Sequence, residues 1–424
     1  MVDSQALTER FELYGKWWLD DEDRSVHGVL VYDPTEGVLL ETVDARPLIP
    51  IAAESPSTIR GIVDGEGWTL GACHCVQMGN RCRYSVGYAI RGVLMDDRDL
   101  SELTELRLSL HEGRALTRTR PRLPESSGRM RSLTADLGDG WTLGLESTVE
   151  QLLTPREDEL RLVDRLEFVV RSASPSDFYE LVRRVYRPLL EIGAICAQQS
   201  VSVSHAAISG PGTQVVIDSG PNDELRQQLR CDLYWKLRPA PRRPVRDPEP
   251  LFRFPTDQEA FSSSLPRWFD VHAKLFVVFG LRQLDLSTEF AIAEPRLMVS
   301  AQAIEAVHRR VVPASKGRRP ALRRRIEDLL ELVHPQTGIV LGEHREWFVS
   351  EFVRARNTIV HWDVDQTHPP GLVMLALHRA STAIVDLVLL RELGFDDELD
   401  NLAQRIDGDR QARYWLDRAA SASE

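Results

Sequence analysis

Cysteine is scarce and odd in number: five in 424 residues, at positions 73, 75, 82, 196 and 231. Thiols so few and so scattered exclude a disulfide framework and suit a reducing compartment. Positive charge is in deficit as well. Lys and Arg total 52 against 64 Asp and Glu, a net charge of −12. That excludes a protein that coats nucleic acid through a broadly basic surface, and it leaves room for a local basic site. No apolar leader is expected from residues 1–16, which are polar and charged. The most apolar long window, 371–390, carries His378, Arg379 and Asp386 and reads as a buried helix rather than a membrane span. These absences point to a soluble cytoplasmic protein with no membrane partner. With 42% apolar residues the chain can bury two or three domain cores.

The pattern that is present changes along the chain. From residue 11 to about 145 the signals are those of strands. A β-rich run at 26–32 closes at Asp33-Pro34 and Gly37, and 38–43 answers it as a hairpin partner. A second hairpin runs through 59–70 with Asp64-Gly65 at its turn. Gly65-Glu-Gly-Trp-Thr-Leu-Gly71 recurs as Gly138-Asp-Gly-Trp-Thr-Leu-Gly144, which predicts two hairpins built alike. Trp17, Trp18 and Trp68 could stack a base or a sugar, but in a small sheet such rings ordinarily fill the core. Asp20 to Asp23 reads as a solvated turn. Cys73, His74, Cys75 and Cys82 offer four soft ligands within ten residues. Structural zinc sites ordinarily use paired knuckles, and no second pair follows, so strand or loop residues are expected here and no metal or other cofactor is assigned.

Residues 174–190 open with N-cap chemistry and continue at helical spacing through Phe178, Leu181, Val182 and Val185. Residues 201–217 read as extended. A Pro- and Arg-rich stretch at 239–256 can continue neither a helix nor a central strand and marks a domain boundary. Beyond it the period becomes helical: 265–284, 287–310, 321–333, 343–362 and 372–393, with one or two further helices in 398–418 and Gly394 as a stop. The expected fold class is α+β. A β-rich module spans 1–238 with an internal break near 150, a linker covers 239–256, and an all-α bundle fills 257–424.

One helix, 346–362, carries the chemistry. At 100° per residue Phe348, Phe352, Ala355, Ile359 and Trp362 share the stripe that a soluble helix buries. Asn357 and His361 stack one turn apart on the opposite side. Arg356 lies between the two faces and is long enough to swing toward His361. A basic tract precedes this helix: Arg309, Arg310, Lys316, Arg318, Arg319, Arg323, Arg324 and Arg325. In an acidic protein it forms a local field that could hold an RNA phosphate backbone.

Arg356-Asn357-Thr358-Ile359-Val360-His361 resembles the R-polar-x-x-x-H signature of HEPN ribonucleases, all-helical domains of prokaryotic defence and toxin systems. The succession Tyr14-Gly-Lys-Trp-Trp-Leu19, His27-Gly-Val-Leu30, Ile59-Arg-Gly61 and Trp68-Thr-Leu70 resembles the N-terminal domain of ApeA-type anti-phage proteins, which join such a module to a C-terminal HEPN domain. The resemblance implies a HEPN helical bundle and a metal-independent endoribonuclease acting in abortive infection on host or phage RNA, tRNA included. It implies that the 2′-OH attacks its own phosphate, with His361 moving the proton, Arg356 meeting the charge and Asn357 orienting the imidazole. It implies a homodimer or higher homo-oligomer through the HEPN domain, and a phage-derived trigger at the N-terminal module. Glu305 looks like the acidic position of an earlier HEPN helix and is expected to pair with Arg356. Two other classes compete. A non-catalytic HEPN scaffold would have no need of all three motif residues, and a β-rich carbohydrate-binding or hydrolytic protein would need paired carboxylates that no position supplies.

Overall fold

The structure, a computed structural model, describes every residue except 1–6, 44–46, 50–56, 78–80, 118–131, 154–159, 219–223, 238–248, 288–292, 314–319, 362–368 and 423–424. The chain forms two compact units. The first comprises Met1–Arg187, Val201–Pro244 and Thr256–Ser262; the second comprises Pro188–Ser200, Val245–Pro255 and Ser263–Glu424.

Alternating apolar positions build the first unit from β1 (Phe11–Trp18), β2 (Val26–Asp33), β3 (Gly37–Thr42), β4 (Ser57–Val63), β5 (Glu66–Gln77) and β6 (Cys82–Val86). They run side by side as β4-β1-β2-β3-β6-β5, and β5 pairs back onto β4, which closes a six-stranded barrel. Further strands extend the sheet: β7 (Tyr88–Arg91), β8 (Leu103–Leu110), β9 (Leu133–Gly138), β10 (Trp141–Leu153), β11 (Leu160–Ser176) and β12 (Val203–Ser209). A small separate hairpin pairs β13 (Gln214–Asp218) with β14 (Glu224–Gln228), and β15 (Cys231–Trp235) returns to the main sheet. The extension leaves the barrel at β5 and runs β7-β15-β12-β8-β11-β10-β9. Trp68 to Gly71 of β5 pair with β7, and His74 to Gln77 pair with β6, so one long strand serves both the ring and its extension.

The tryptophans are core. Trp17 and Trp68 are buried, as is Trp18, and none presents a face to a base or sugar. Trp17 lies opposite Gly61 in the register, where a Cβ on Gly61 would stand 2.2 Å from the indole. Its Nε1 donates to the Gly28 carbonyl at 3.2 Å. Both Asp-Gly turns form with two left-handed residues, Asp64 and Gly65 at φ 50° and 83°, Asp139 and Gly140 at φ 53° and 78°. The echoed segments sit differently on those turns, since Trp68 is the third residue of β5 and Trp141 the first of β10. All five cysteines are free, and among the described residues no group of three or more His, Cys, Asp or Glu is arranged to hold a metal ion. Burial pushes the Cys73 thiol up to about 12, so it stays protonated. Asp21 caps a short turn over Glu22–Arg24 in the solvated acidic run.

Asp177 accepts a hydrogen bond from the Glu180 amide at 2.7 Å and starts the helical stretch that leads into α1 (Arg187–Ala197). The other helices are α2 (Gln258–Ser287), α3 (Ala293–Val311), α4 (Leu322–Leu332), α5 (Gln336–Leu341), α6 (Arg345–His361), α7 (Gly371–Leu393), α8 (Leu399–Arg410) and α9 (Ala412–Ser421). Most of the Pro- and Arg-rich stretch lies outside the described residues. Its far end is packed: Leu251, Phe252 and Phe254 are buried, and Phe252 meets Trp268 and Phe395 at ring separations of 5.4 and 4.8 Å. The central helix is α7. It is long and apolar enough to cross a membrane, yet 83% of its most apolar window is buried inside the protein. Of its buried polar residues the two ionisable ones meet charged partners, Asp386 facing Arg282 at 2.8 Å and His378 Nε2 facing Asp285 at 3.3 Å. Gly394, at φ 102°, ends it.

Candidate active site on the helical unit

The face of α6 that carries no core residues is where the motif stands. Phe348, Val349, Phe352, Ala355 and Thr358 are buried and fix the rotation of the helix. Ile359 is half-buried, and Trp362 lies outside the described residues. That rotation leaves Asn357, Val360 and His361 exposed and Arg356 at the boundary, 26% exposed.

Arg356 is held from two sides and left open on a third. Its Nη2 lies 3.3 Å from Glu305 Oε1 on α3, its Nη1 donates to Asn357 Oδ1 at 3.2 Å, and its Nε is buried without an acceptor. The carboxamide oxygen of Asn357 is thereby engaged by the guanidinium next to it. His361 follows one turn later on the exposed surface.

Glu305 is the hub. Its Oε2 accepts from Arg325 Nη1 at 2.7 Å and from Arg309 Nη2 at 3.3 Å, while Oε1 faces Arg356. Arg325 is anchored in turn by donating Nε to the Pro320 carbonyl at 3.0 Å. One carboxylate thus meets three guanidiniums, and the neighbourhood keeps a surplus of positive charge in a partly desolvated setting, where it acts more strongly than in water.

The described residues of the basic tract do not share one surface. Arg309 and Arg310 are exposed at the end of α3. Lys316, Arg318 and Arg319 lie outside the described residues. Arg323 and Arg324 point outward from α4 and pair along it with Glu327 at 3.8 Å and Asp328 at 2.9 Å. Arg325 departs from the expected phosphate contact. Its side chain is 9% exposed and turned inward onto Glu305, because it shares the stripe of Ile326, Leu329 and Leu330 that α4 buries. A cleft of about 820 Å³ opens beside Arg324 and Arg345, lined also by Glu327, Asp328, Glu331 and Glu346. Its acidic walls do not suit a phosphate backbone.

Sequence reasoning missed the structural role of Arg325. Its helical spacing to Leu329, one turn on, was the available signal.

Two families of known proteins match this chain. Residues 12–268 match ApeA N-terminal domain 1, and residues 298–399 match the Apea-like HEPN domain, whose span takes in Glu305, Arg325, Arg356, Asn357 and His361. No curated protein and no solved structure matches. HEPN domains are generally ribonucleases and typically dimerise. The first match alone covers more than half of the chain, and the chain belongs to the ApeA family of anti-phage defence proteins that carry a HEPN domain.

Proposed function

We propose that this protein is a cytoplasmic endoribonuclease of abortive infection that cuts RNA by transesterification. The ribose 2′-OH attacks its own phosphorus and the bond to the 5′-oxygen of the next nucleotide breaks. The products are a 2′,3′-cyclic phosphate and a 5′-OH end. An imidazole suits the proton transfer, to or from oxygen, and His361 stands exposed where RNA can reach it. A guanidinium suits the equatorial charge of the phosphorane, and Arg356 is the cation offered beside it.

The observation that carries this reading is the restraint on Arg356. Glu305 holds one end of its guanidinium, and Arg325 and Arg309 share that carboxylate. Arg356 is therefore oriented without being neutralised, which a helix-capping arginine would not need. Its Nε, buried and without an acceptor, is a donor left over for a phosphate oxygen.

A single His361 does not serve both faces of an in-line displacement. A second copy supplies the other imidazole, and exposed Val360, at 41%, adjoins Asn357 and His361 on the face the copies would share. The N-terminal module would take the phage-derived trigger.

The test is sequencing of RNA 5′-OH ends in phage-challenged cells expressing wild type, His361→Ala or Arg356→Ala. New ends and protection in the wild type only are expected, and their positions name the substrate, tRNA or another RNA. Protection that survives both substitutions with no new ends would return the domain to the role of a scaffold.

A further inference from the structure

A second polar cluster in the helical unit lies apart from the motif, around the N-terminal half of α7 and the junction of α8 with α9. Its carboxylates are saturated. Asp386, fully buried, receives Arg282 at 2.8 Å and also pairs with Arg410. It accepts from Gln198 at 3.2 Å. Asp285 takes Arg282 as well, and His378 Nε2 at 3.3 Å.

The cations are not saturated. Arg296 and Arg379, both half-buried, have no carboxylate partner among the described residues. Arg379 donates to the Arg410 carbonyl and stacks on Trp415 with its guanidinium carbon 5.2 Å from the ring centre. Burial, and then Arg296 nearby, pull Arg379 below its ordinary value. Burial does the same to Arg410, although Asp386 opposes it.

Unpaired atoms collect here in a definite complement. Arg296 Nε, Arg410 Nη1 and Trp415 Nε1 are buried N–H donors with no acceptor. His378 Nδ1 is buried with no partner either. Burial chiefly pushes His378 down to about 4, so its ring is neutral at pH 7. With Nε2–H directed at Asp285, Nδ1 carries a lone pair and is an acceptor. Three donors without acceptors and one acceptor without a donor, within a net positive cluster, define what is missing. The ligand is an oxyanion with several free oxygens and one acidic O–H.

We infer that Arg296, His378, Arg379, Arg410 and Trp415 form a binding site for a phosphate group that retains a P–OH. An ionised carboxylate has no proton for Nδ1. A phosphodiester has the oxygens but lacks the proton. Inorganic phosphate has both near neutral pH, and a terminal phosphomonoester has both as its monoanion, which persists up to about pH 6. Along α3 the site begins nine residues before Glu305, about 14 Å on the helical rise, so it is separate from the Arg356 cluster. It does not depend on the nuclease reading.

The test uses the full chain with inorganic phosphate as the probe, titrated at constant ionic strength against chloride and sulfate and followed by thermal unfolding and calorimetry. Phosphate is expected to bind saturably and at least about fivefold more tightly than sulfate, which has the same shape and charge but no proton at pH 7. Arg296→Gln with Arg379→Gln is expected to weaken phosphate about tenfold or more while leaving circular dichroism unchanged, since neither side chain has a carboxylate partner to lose. Phosphate no better than chloride, sulfate equal to phosphate, or a folded double variant that binds as wild type would each overturn the site. A labelled RNA oligonucleotide, with and without a 5′-monophosphate, separates the sources. Competition with phosphate by the 5′-phosphorylated strand alone assigns the site to an RNA end, and competition by neither strand assigns it to a free phosphate compound. Equal competition by both strands would refute the requirement for P–OH.

Discussion

In the sheet unit one arginine meets three carboxylates; in the helical unit one carboxylate meets three arginines. Arg107 on β8, 6% exposed, touches Glu105 at 2.7 Å, Glu146 at 2.9 Å and Glu167 at 3.2 Å. Arg171 on β11 closes the set on Glu105 and Glu146 at 2.8 and 2.7 Å. Strand register places these side chains next to one another, since Arg171 lies opposite Glu105 and Glu167 opposite Ser109, two residues after Arg107. Arg230 faces Glu167 at 3.8 Å, so three cations stand against three carboxylates, and the network ties three strands together. Around Glu305 the count is reversed and the cations are in excess. Both are partly buried ion-pair clusters, and stoichiometry separates them: a balanced network holds a fold, and an unbalanced one waits for an ion from outside.

The largest test of this contrast lies at the motif. His361→Ala and Arg356→Ala should each lower single-turnover RNA cleavage by about 100-fold or more. His361→Ala should leave stability within about 0.5 kcal/mol, because the side chain is exposed. Cleavage that persists in both variants would end the assignment.

Arg107→Ala should do the reverse. Removing the shared cation leaves three carboxylates together in a poorly solvated place, of which Glu167 is 2% exposed. A loss of about 3–5 kcal/mol is expected in urea denaturation. Adding Glu167→Gln should restore part of it. If the double variant is less stable than Arg107→Ala, the charge account of this network fails.

His378 allows the contrast to be read by pH. Its folded value, about 4, lies below the ordinary 6.5 because burial penalises the cation. Asp285 opposes that shift, while Arg282, Arg410 and Arg296 add to it. Between these values the unfolded chain binds a proton that the folded chain does not, so stability falls as pH drops from about 6.5 toward 4. The full effect is about 3 kcal/mol. His378→Gln should flatten that part of the stability profile relative to wild type. An unchanged slope would mean that the imidazole takes up its proton in the fold.

Much of this was legible in the residues. The burial of Phe348, Phe352 and Ala355 follows from helical period alone, and with it the outward placement of Asn357 and His361. The β2–β3 and β4–β5 hairpins were legible because their turns are spelled out by Asp33 with Gly37 and by Asp64-Gly65. The closure of the barrel was not, because the pairing of β4 with β1 and of β3 with β6 joins residues that no local signal links. Helix α5, six residues long, is too short for a 3.6-residue period to declare itself. The order of β8, β11 and β12 in the extended sheet depends on cross-strand partners far apart in the chain. At the site, the difference between Arg324 and Arg325 is a single 100° step along a helix, marked in a run of three arginines only by the spacing of Arg325 to Leu329 on the buried face of α4.

That step supplies the finest test. Arg325→Gln removes the anchor of Glu305 from a nearly buried position and should cost about 1–3 kcal/mol. It should also lower RNA cleavage through the lost aim of Arg356, with kcat falling more than KM rises. Arg324→Gln, one residue away, loses only an exposed pair with Asp328 at 2.9 Å, its own side chain 68% exposed. It should change stability by less than about 0.5 kcal/mol and leave kcat alone. If Arg324→Gln were instead the variant that lost cleavage, the outward arginines would be the ones that meet RNA. The inward relay from Arg325 through Glu305 to Arg356 would then be scaffolding, of the same kind as the network around Arg107.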